Sequence, residues 1–208
     1  MDWSRDREKR GSRFYVALEG VDGVGKTTQL NLLQQRYRDA LFLREPGYTR
    51  LGGELRRLIL EASPGRRAEL LLFLADRAEL VEKVILPNRH RPIFSDRSLV
   101  SGIAYGAAAG FGMEELIELN RWATGGVMPD LVFLLKLDRS QLEARLQTRR
   151  LDRIEERGIE YLLEVQSLME EALNRLGVKY EVLEASTPPD QLHNQILHLL
   201  RLHFFAGE

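Results

Sequence analysis

The segment Gly20-Val-Asp-Gly-Val-Gly-Lys-Thr27 has a spacing whose chemistry can be stated from the residues alone. It matches G-x-x-x-x-G-K-[ST], directly after an apolar run and directly before an amphipathic run. Glycines let backbone N–H groups surround a phosphate, and a following helix N-terminus adds partial positive charge. Lys26 can then reach the β- and γ-phosphates of a nucleotide, and the Thr27 hydroxyl can ligate Mg²⁺. We therefore predict a site for the phosphates of a nucleotide, formed by Gly20, Val21, Asp22, Gly23, Val24, Gly25, Lys26, Thr27 and Thr28.

A second candidate lies where the apolar run Ile93-Phe-Ser ends in Asp96. Asp96 could hold Mg²⁺ directly or through water, and the planar guanidinium of Arg97 suits a phosphate. The alternative is a helix-capping aspartate followed by a solvated arginine. The chain has no Asn-Lys-x-Asp, the guanine-reading pattern of GTP switches, so adenine is favoured as the base bound beside the phosphate loop.

The elements that must position these residues follow an alternating pattern. Short apolar runs rich in β-branched or aromatic residues alternate with amphipathic runs, which is typical of repeated βα units with a parallel sheet. The pattern predicts a three-layer α/β/α domain with five parallel strands at 13–19, 41–44, 92–96, 131–137 and 179–183. Helices are predicted at 26–38, 51–61, 67–86, 99–108, 113–123, 140–149, 159–176 and 189–205.

Composition excludes several classes of protein. The 208 residues carry 30 Lys+Arg against 31 Asp+Glu, a net charge of −1, which argues against a nucleic-acid coat or a binder of anionic membranes. The absence of Cys excludes disulfides, zinc fingers and thiol catalysis. No apolar run reaches the roughly 20 residues of a membrane span. The expected partners are therefore small anionic molecules rather than nucleic acid or membrane.

The chain is expected to form one domain over residues 13–208, preceded by a charged extension at 1–12. That extension has no apolar core of a secretory signal, so a cytoplasmic location is predicted. The sequence does not show whether two copies pair through the long apolar helices as a homodimer. Trp122 is expected to be a packing anchor.

Several short motifs together resemble bacterial thymidylate kinase, in that family's order and spacing, from about Phe14 to the C-terminus. Residues 1–12 fall outside the resemblance. The motifs are Glu19-Gly-Val-Asp-Gly-Val-Gly-Lys-Thr-Thr28, Arg44-Glu-Pro-Gly47, Phe73-Leu-Ala-Asp-Arg77, Asp96-Arg97, Ser101-Gly-Ile-Ala-Tyr105, Pro129-Asp130 and Leu151-Asp-Arg-Ile-Glu155. The resemblance implies a P-loop NTPase fold and transfer of the γ-phosphoryl group of ATP to dTMP, giving dTDP and ADP, with Mg²⁺.

The resemblance also implies how dTMP would be bound. Phe73 would stack on thymine, Arg77 would bind the base edge, and Arg97 would clamp the dTMP phosphate. Asp22 would bond the sugar 3′-hydroxyl, and Tyr105 would pack where a ribose 2′-hydroxyl would project. The other implied substrate contacts are Arg44, Glu45, Pro46, Arg56 and Ser101.

In this family an arginine of either the P-loop or the lid acts in the transition state, and Gly23 stands at the P-loop position. The lid, expected at about 148–158, must then supply it through Arg149 or Arg153. For Arg150 and Arg157, solvated ion pairs at a helix end are an equal alternative. The predicted catalytic residues are Lys26, Arg97, Arg149 and Arg153, and the predicted metal ligands are Thr27 and Asp96.

Three positions depart from the family's pattern. Tyr48 replaces a glycine, Ser98 replaces an aromatic residue or His, and Gly106 replaces a polar residue that often contacts thymine N3. The last departure leaves the base edge to water or to Ser101, so discrimination between thymine and uracil stays open.

Two other functions are weighed against this one. Asp96-Arg97-Ser98 also resembles the acid-Arg-Ser pattern of deoxynucleoside kinases, which phosphorylate a 5′-hydroxyl and need a positioned base instead of a second phosphate clamp. A nucleotide-dependent switch is a third class. The missing guanine motif and the arginine-rich lid count against it.

Overall fold

The computed structural model describes residues 13–146 and 157–205, which form an α/β fold around one five-stranded sheet. All neighbouring strands pair in parallel, in the order β2-β3-β1-β4-β5. The predicted sheet is thereby confirmed, with its ends shifted by at most two residues. The strands are β1 Tyr15–Glu19, β2 Leu41–Arg44, β3 Ile93–Asp96, β4 Leu131–Lys136 and β5 Tyr180–Glu184.

The sequences of β1 and β4 are almost continuously apolar because both strands lie in the middle of the sheet. All five residues of β1 and the first five of β4 are buried, so both faces of the sheet are covered there. Strand register brings Leu18 of β1 opposite Asp96 of β3, and Asp96 opposite Arg44 of β2. The carboxyl ends of β1, β2 and β3 therefore meet at one edge of the sheet, where ligands bind in open parallel sheets.

Eight α-helices occur among the described residues, as predicted. Helix α1 packs against α8, whereas α4, α5 and α7 pack together and α2 packs against α3. The sheet thus lies between layers of helices. The bounds are α1 Lys26–Arg36, α2 Arg50–Glu61, α3 Arg66–Leu80, α4 Leu99–Ala108, α5 Met113–Thr124, α6 Arg139–Leu146, α7 Ile159–Leu176 and α8 Pro189–Phe204.

The helix predicted at 67–86 differs from the structure at its C-terminal end. Regular α-helix ends at Leu80, and Val81–Ile85 continues as a wider π-helical turn in which the Leu86 N–H bonds to the Val81 carbonyl. A short 3₁₀ turn over Leu86–Asn88 follows. Pro87 has no N–H to continue an α-helical ladder, which explains why the helix changes form before this point.

Two other predictions, for the helix at 140–149 and for Trp122, have different outcomes. The helix predicted at 140–149 is described only as α6, so its last residues and most of the lid lie outside the described part of the chain. The expectation that Trp122 is a packing anchor was wrong, because its side chain is 82% exposed on α5. Within residues 13–146 and 157–205, no helix combines the length and hydropathy needed to cross a membrane.

Candidate active site

The loop between β1 and α1 has the backbone that a phosphate loop needs. Gly20 has φ of 138°, and a Cβ there would lie 2.4 Å from the carbonyl oxygen of Leu135 in β4, so only glycine fits. Gly25 has φ of 99° and stands immediately before the first residue of α1. The loop therefore turns sharply enough to aim the N-terminus of α1 and its N–H groups at one point.

Lys26 is buried in this loop. Its Nζ donates to the carbonyl oxygens of Gly20 at 2.9 Å and Val21 at 3.0 Å, and it lies 3.7 Å from a carboxylate oxygen of Asp22. Burial and, to a smaller degree, the nearby positive charge of Arg97 lower the pKa of Lys26 to about 8, against the opposing effect of Asp22. An anionic phosphate beside Nζ would favour the charged ammonium.

The two predicted metal ligands lie together. The Thr27 hydroxyl donates to Oδ2 of Asp96 at 3.4 Å, across the gap between α1 and the end of β3. A hydroxyl and a carboxylate are oxygen ligands of the kind that Mg²⁺ takes, and Mg²⁺ commonly completes its octahedron with water and substrate phosphates. These two residues therefore fit the predicted ion.

Arg97 follows β3 in a left-handed conformation, with φ of 73°. Such a conformation costs a non-glycine residue roughly 1–3 kcal/mol and needs surrounding contacts to hold it. The guanidinium donates to the Gly20 carbonyl at 3.1 Å and to the Ser101 hydroxyl at 2.9 Å, pairs with Asp22 at 2.7 Å, and lies 5.4 Å from the ring centre of Tyr105. Arg97 thus connects the phosphate loop to the adjoining cleft.

That cleft is open, and the space in it, including solvent at its mouth, is about 930 Å³. It contains every predicted substrate residue except Arg44, which is exposed at the end of β2 and lies outside the lining. The lining is mixed, with charged side chains such as Arg66 beside apolar ones such as Phe111. The predicted residues in it are Asp22, Glu45, Pro46, Arg56, Phe73, Arg77, Arg97, Ser101 and Tyr105.

Arg77 is held on three sides in the wall of the cleft. Its Nε donates to Glu45 at 2.8 Å, Nη1 donates to the Asn120 side chain at 2.5 Å, and Nη2 donates to the Ser98 carbonyl at 3.1 Å. A Cβ on Gly102 would lie 2.5 Å from Nη1, so the glycine makes room for the guanidinium. The buried arginine is therefore fixed in one place.

Glu45, the carboxylate partner of Arg77, is itself buried. Burial, with a smaller contribution from the neighbouring Asp76, raises the pKa of Glu45 to about 7, although the charge of Arg77 acts in the opposite direction. Burial also raises the pKa of Asp76. The cleft wall thus contains acidic groups that depend on their hydrogen-bond and ion-pair partners to stay charged.

The loop after β2 is tied to helices α2 and α3. Oδ1 of Asp76 accepts a hydrogen bond from the Gly47 N–H at 3.0 Å, and Arg56 donates to the Pro46 carbonyl at 3.1 Å. These bonds place Glu45 and Pro46 against the cleft.

Gly106, the residue that departs most from the family's pattern, has a packing reason. A Cβ there would lie 2.7 Å from Cδ2 of Leu116, so α4 and α5 approach too closely for a larger residue in this arrangement. Gly106 lines the cleft, and the leucine that crowds it belongs to α5.

Sequence reasoning missed several residues that build the site. Glu19, Asp76 and Asn120 are buried and bonded to functional residues, yet none was given a role. Asn120 had a detectable signal, since it lies on the same helical face as Leu116, Ile117 and Ala123, where a polar residue needs a partner. Arg145 was also missed. It donates to the Gly23 carbonyl at 2.6 Å and so joins α6 to the phosphate loop.

Comparisons with known proteins agree with this geometry. The family model described as thymidylate kinase matches residues 18–196. Thymidylate kinase of Nautilia profundicola is 45% identical over 88% of this chain and 94% of its own length, and that of Wolinella succinogenes is 47% identical over 88% and 96%. The crystal structure of thymidylate kinase from Ehrlichia chaffeensis superposes with a TM-score of 0.72 at 26% identity, covering 92% of this chain and 99% of that one.

These matches extend across both the phosphate loop and the cleft, so they concern the whole site and not the common nucleotide-binding motif alone. The predicted fold, a P-loop NTPase with a five-stranded parallel sheet, is confirmed by the same superposition. With the family model and the relatives in agreement over most of its length, the chain belongs to the thymidylate kinase family.

Proposed function

We propose that this chain catalyses the ATP-dependent phosphorylation of dTMP to dTDP, with ATP on the phosphate loop and dTMP in the adjoining cleft. The observation that carries the proposal is the position of Arg97, which bonds the Gly20 carbonyl and stacks on Tyr105 of the cleft. A phosphoryl transfer between two anionic nucleotides needs a cation at this junction, because both phosphates must approach each other against their charge repulsion.

On the ATP side, we assign Lys26 to the β- and γ-phosphates and the loop N–H groups to the phosphate oxygens. Thr27 and Asp96 would hold Mg²⁺, which would neutralise charge on the phosphates when bound. An oxygen of the dTMP phosphate attacks the γ-phosphorus, and the bond from that phosphorus to the β–γ bridging oxygen breaks, leaving ADP. The attacking phosphate is already anionic, so no general base is required.

On the acceptor side, the roles follow the places of the side chains in the cleft. Arg97 would bind the dTMP phosphate, Phe73 would stack on the base, and Arg77 would face its edge. Tyr105 and Asp22 would contact the sugar. Since Arg77 already donates to three protein groups, its contribution to binding would come from its fixed charge and shape.

The transition-state arginine is expected from the lid, and Arg149 and Arg153 lie outside the described residues. We propose Arg153 for this role. Arg153→Ala should lower kcat with little change in the dTMP KM, because it removes an interaction made only in the transition state. An unchanged kcat would move the role to Arg149 or another residue.

A panel of dTMP, dUMP, UMP and thymidine, each with ATP and Mg²⁺, tests the reaction. Turnover of dTMP well above UMP and thymidine is expected. Phosphorylation of thymidine but not dTMP would instead identify a deoxynucleoside kinase. Slow ATP hydrolysis without stimulation by any of the four would favour a nucleotide-dependent switch.

We propose further that residues 13–208 form one domain with a lid at about 148–158, and that the protein acts in the cytoplasm as a homodimer. Large apolar side chains on α2 and α3 support the dimer, since Leu51, Leu58 and Leu71 are exposed. Sedimentation velocity at micromolar concentration would measure the oligomeric state. A single species of 23.9 kDa would contradict the dimer.

A further inference from the structure

Glu19, the last residue of β1, is a fully buried carboxylate that none of the roles above uses. Its Oε1 accepts bonds from the Ser98 N–H and the Ser98 hydroxyl, both at 2.7 Å, and from the Ser101 N–H at 3.3 Å. Its Oε2 accepts the Ser101 hydroxyl at 2.5 Å. One buried carboxylate thus binds the N-cap residue Ser98, which directly follows Arg97, and the first turn of α4.

The direction of these bonds matters for Arg97. A serine hydroxyl has a single hydrogen, and Ser101 donates that hydrogen to Glu19. Its lone pairs are therefore turned toward Nη1 of Arg97, which donates to the same oxygen at 2.9 Å. Because Glu19 can only accept when ionised, it fixes Ser101 as an acceptor for the guanidinium.

The backbone conformation of Arg97 gives a second reason to connect Glu19 with the position of the guanidinium. Arg97 has φ of 73°, a conformation that persists only where its surroundings over-determine it. Glu19 holds Ser98, the residue immediately after Arg97, through both its N–H and its hydroxyl. The same hydroxyl accepts the N–H of Val100 at 3.3 Å and so caps α4. The carboxylate also lies at the N-terminal, positive end of α4.

We propose that Glu19 is a positioning residue, which acts through Ser98 and Ser101 to hold the Arg97 guanidinium where the phosphate of the acceptor nucleotide binds. This inference rests on the proposed function, since it is there that Arg97 receives the acceptor phosphate. Glu19 lies at the end of the strand that leads into the phosphate loop. It therefore ties the acceptor clamp to the loop that carries ATP.

The variant Glu19→Gln tests the direction of the hydrogen bonds at nearly constant volume. An amide nitrogen in place of Oε2 would donate to the Ser101 hydroxyl instead of accepting its hydrogen, so the hydroxyl would no longer be fixed with its lone pairs toward Arg97. The expected result is a dTMP KM and a calorimetric dTMP Kd raised about tenfold, the loss of one bond to a charged group, with the ATP KM within about twofold of the wild type.

Gln166→Met is the matched control for lost buried hydrogen bonds. Gln166 is buried and bonds the N–H and carbonyl of Leu137, both at 3.0 Å, away from the cleft. The Gln166→Met variant should have a lower Tm and an unchanged dTMP KM. If Glu19→Gln changed only Tm, as this control should, the positioning role would be refuted.

A double-mutant cycle separates this proposal from the function on which it rests. Arg97→Ala should weaken dTMP binding by itself, and adding Glu19→Gln should then weaken it less than about twofold further, because the two residues act through one interaction. Fully multiplicative effects would overturn the role of Glu19. An unchanged dTMP Kd in Arg97→Ala would instead overturn the assignment of Arg97.

Ser101→Ala provides a second route if Glu19→Gln does not fold. It removes the hydroxyl between the carboxylate and the guanidinium while leaving Glu19 bonded to Ser98. The same non-additivity with Arg97→Ala is expected. Additive effects in this pair would also count against the proposal.

Discussion

The phosphate loop takes its binding groups from consecutive residues between β1 and α1, whereas the cleft beside it takes them from several separate elements. In the loop, three glycines with positive φ shape a backbone whose own N–H groups face the ligand. In the cleft, the cations are side chains. Arg77 and Arg97 are both largely buried, and each is held by hydrogen bonds and by a carboxylate.

The two regions therefore depend on their surroundings to different degrees. A backbone cradle needs the right conformation at a few positions and few outside partners. A buried guanidinium needs partners for its donors, because an unpaired buried charge is strongly destabilising. We expect substitutions outside the ligand's reach to disturb the cleft much more than the loop.

The largest expected effect lies in the loop itself. Lys26→Ala removes the buried ammonium assigned to the ATP phosphates and should lower kcat roughly 10²–10³-fold, as for other preorganised transition-state donors. Steady-state kinetics at saturating dTMP would measure it. Lys136→Ala, which removes a partly exposed lysine paired with Glu170 at 2.7 Å, is the control and should leave kcat unchanged. Comparable losses in both variants would contradict the role of Lys26.

In the cleft, Gly102→Ala should act through its neighbour Arg77, although Gly102 itself also lines the cleft. Its Cβ would lie 2.5 Å from Nη1 of Arg77, and three hydrogen bonds prevent the guanidinium from moving away easily. Overpacking should cost about 1–3 kcal/mol, seen as lower stability in urea and a raised dTMP KM.

Gly53→Ala is the control for a helical glycine. A Cβ at Gly53 in α2 would meet no atom within 4 Å, so this change should stabilise the protein by about 0.5–1 kcal/mol. If Gly102→Ala behaved like Gly53→Ala, the cleft would be more deformable than the bonds to Arg77 imply.

The contrast between the regions also explains what could be predicted from the sequence. The phosphate loop is local, so its glycines, Lys26 and Thr27 were all identifiable from one short pattern. The supports of the cleft are not local, because Arg77 and Asn120 are 43 positions apart and Glu19 and Ser98 are 79 positions apart. Nothing in either neighbourhood specifies such a pair.

The fold was predictable for a related reason. Each strand is a short apolar run. Because β1 and β4 are buried on both faces, nearly all of their residues are apolar, and the sequence shows this directly. The π-helical turn at Val81–Ile85 and the exposure of Trp122 depend on how elements meet, which hydrophobic pattern alone does not report.

A smaller effect is expected at Phe73, an aromatic residue that lines the cleft. Phe73→Ala should raise the dTMP KM about tenfold, within the 1–3 kcal/mol typical of base stacking on an aromatic ring, with kcat less affected. Leu71→Ala, an exposed residue on the same helix, is the control for helix propensity and should not change KM. An unchanged KM in Phe73→Ala would refute the stacking assignment.

The smallest effect tests whether loop and cleft are electrically independent. Burial, together with the charge of Arg97, lowers the pKa of Lys26 to about 8, and only the protonated ammonium would bind phosphate. The kcat/KM for ATP reports the free enzyme, so it should fall about fourfold between pH 7 and pH 8.5 as Lys26 loses its proton. Bound phosphates would raise this pKa, so kcat should fall only at higher pH.

Arg97→Gln removes the nearby positive charge and should move the fall in kcat/KM to higher pH. An unshifted profile would mean that the cation of the cleft does not tune the lysine of the loop.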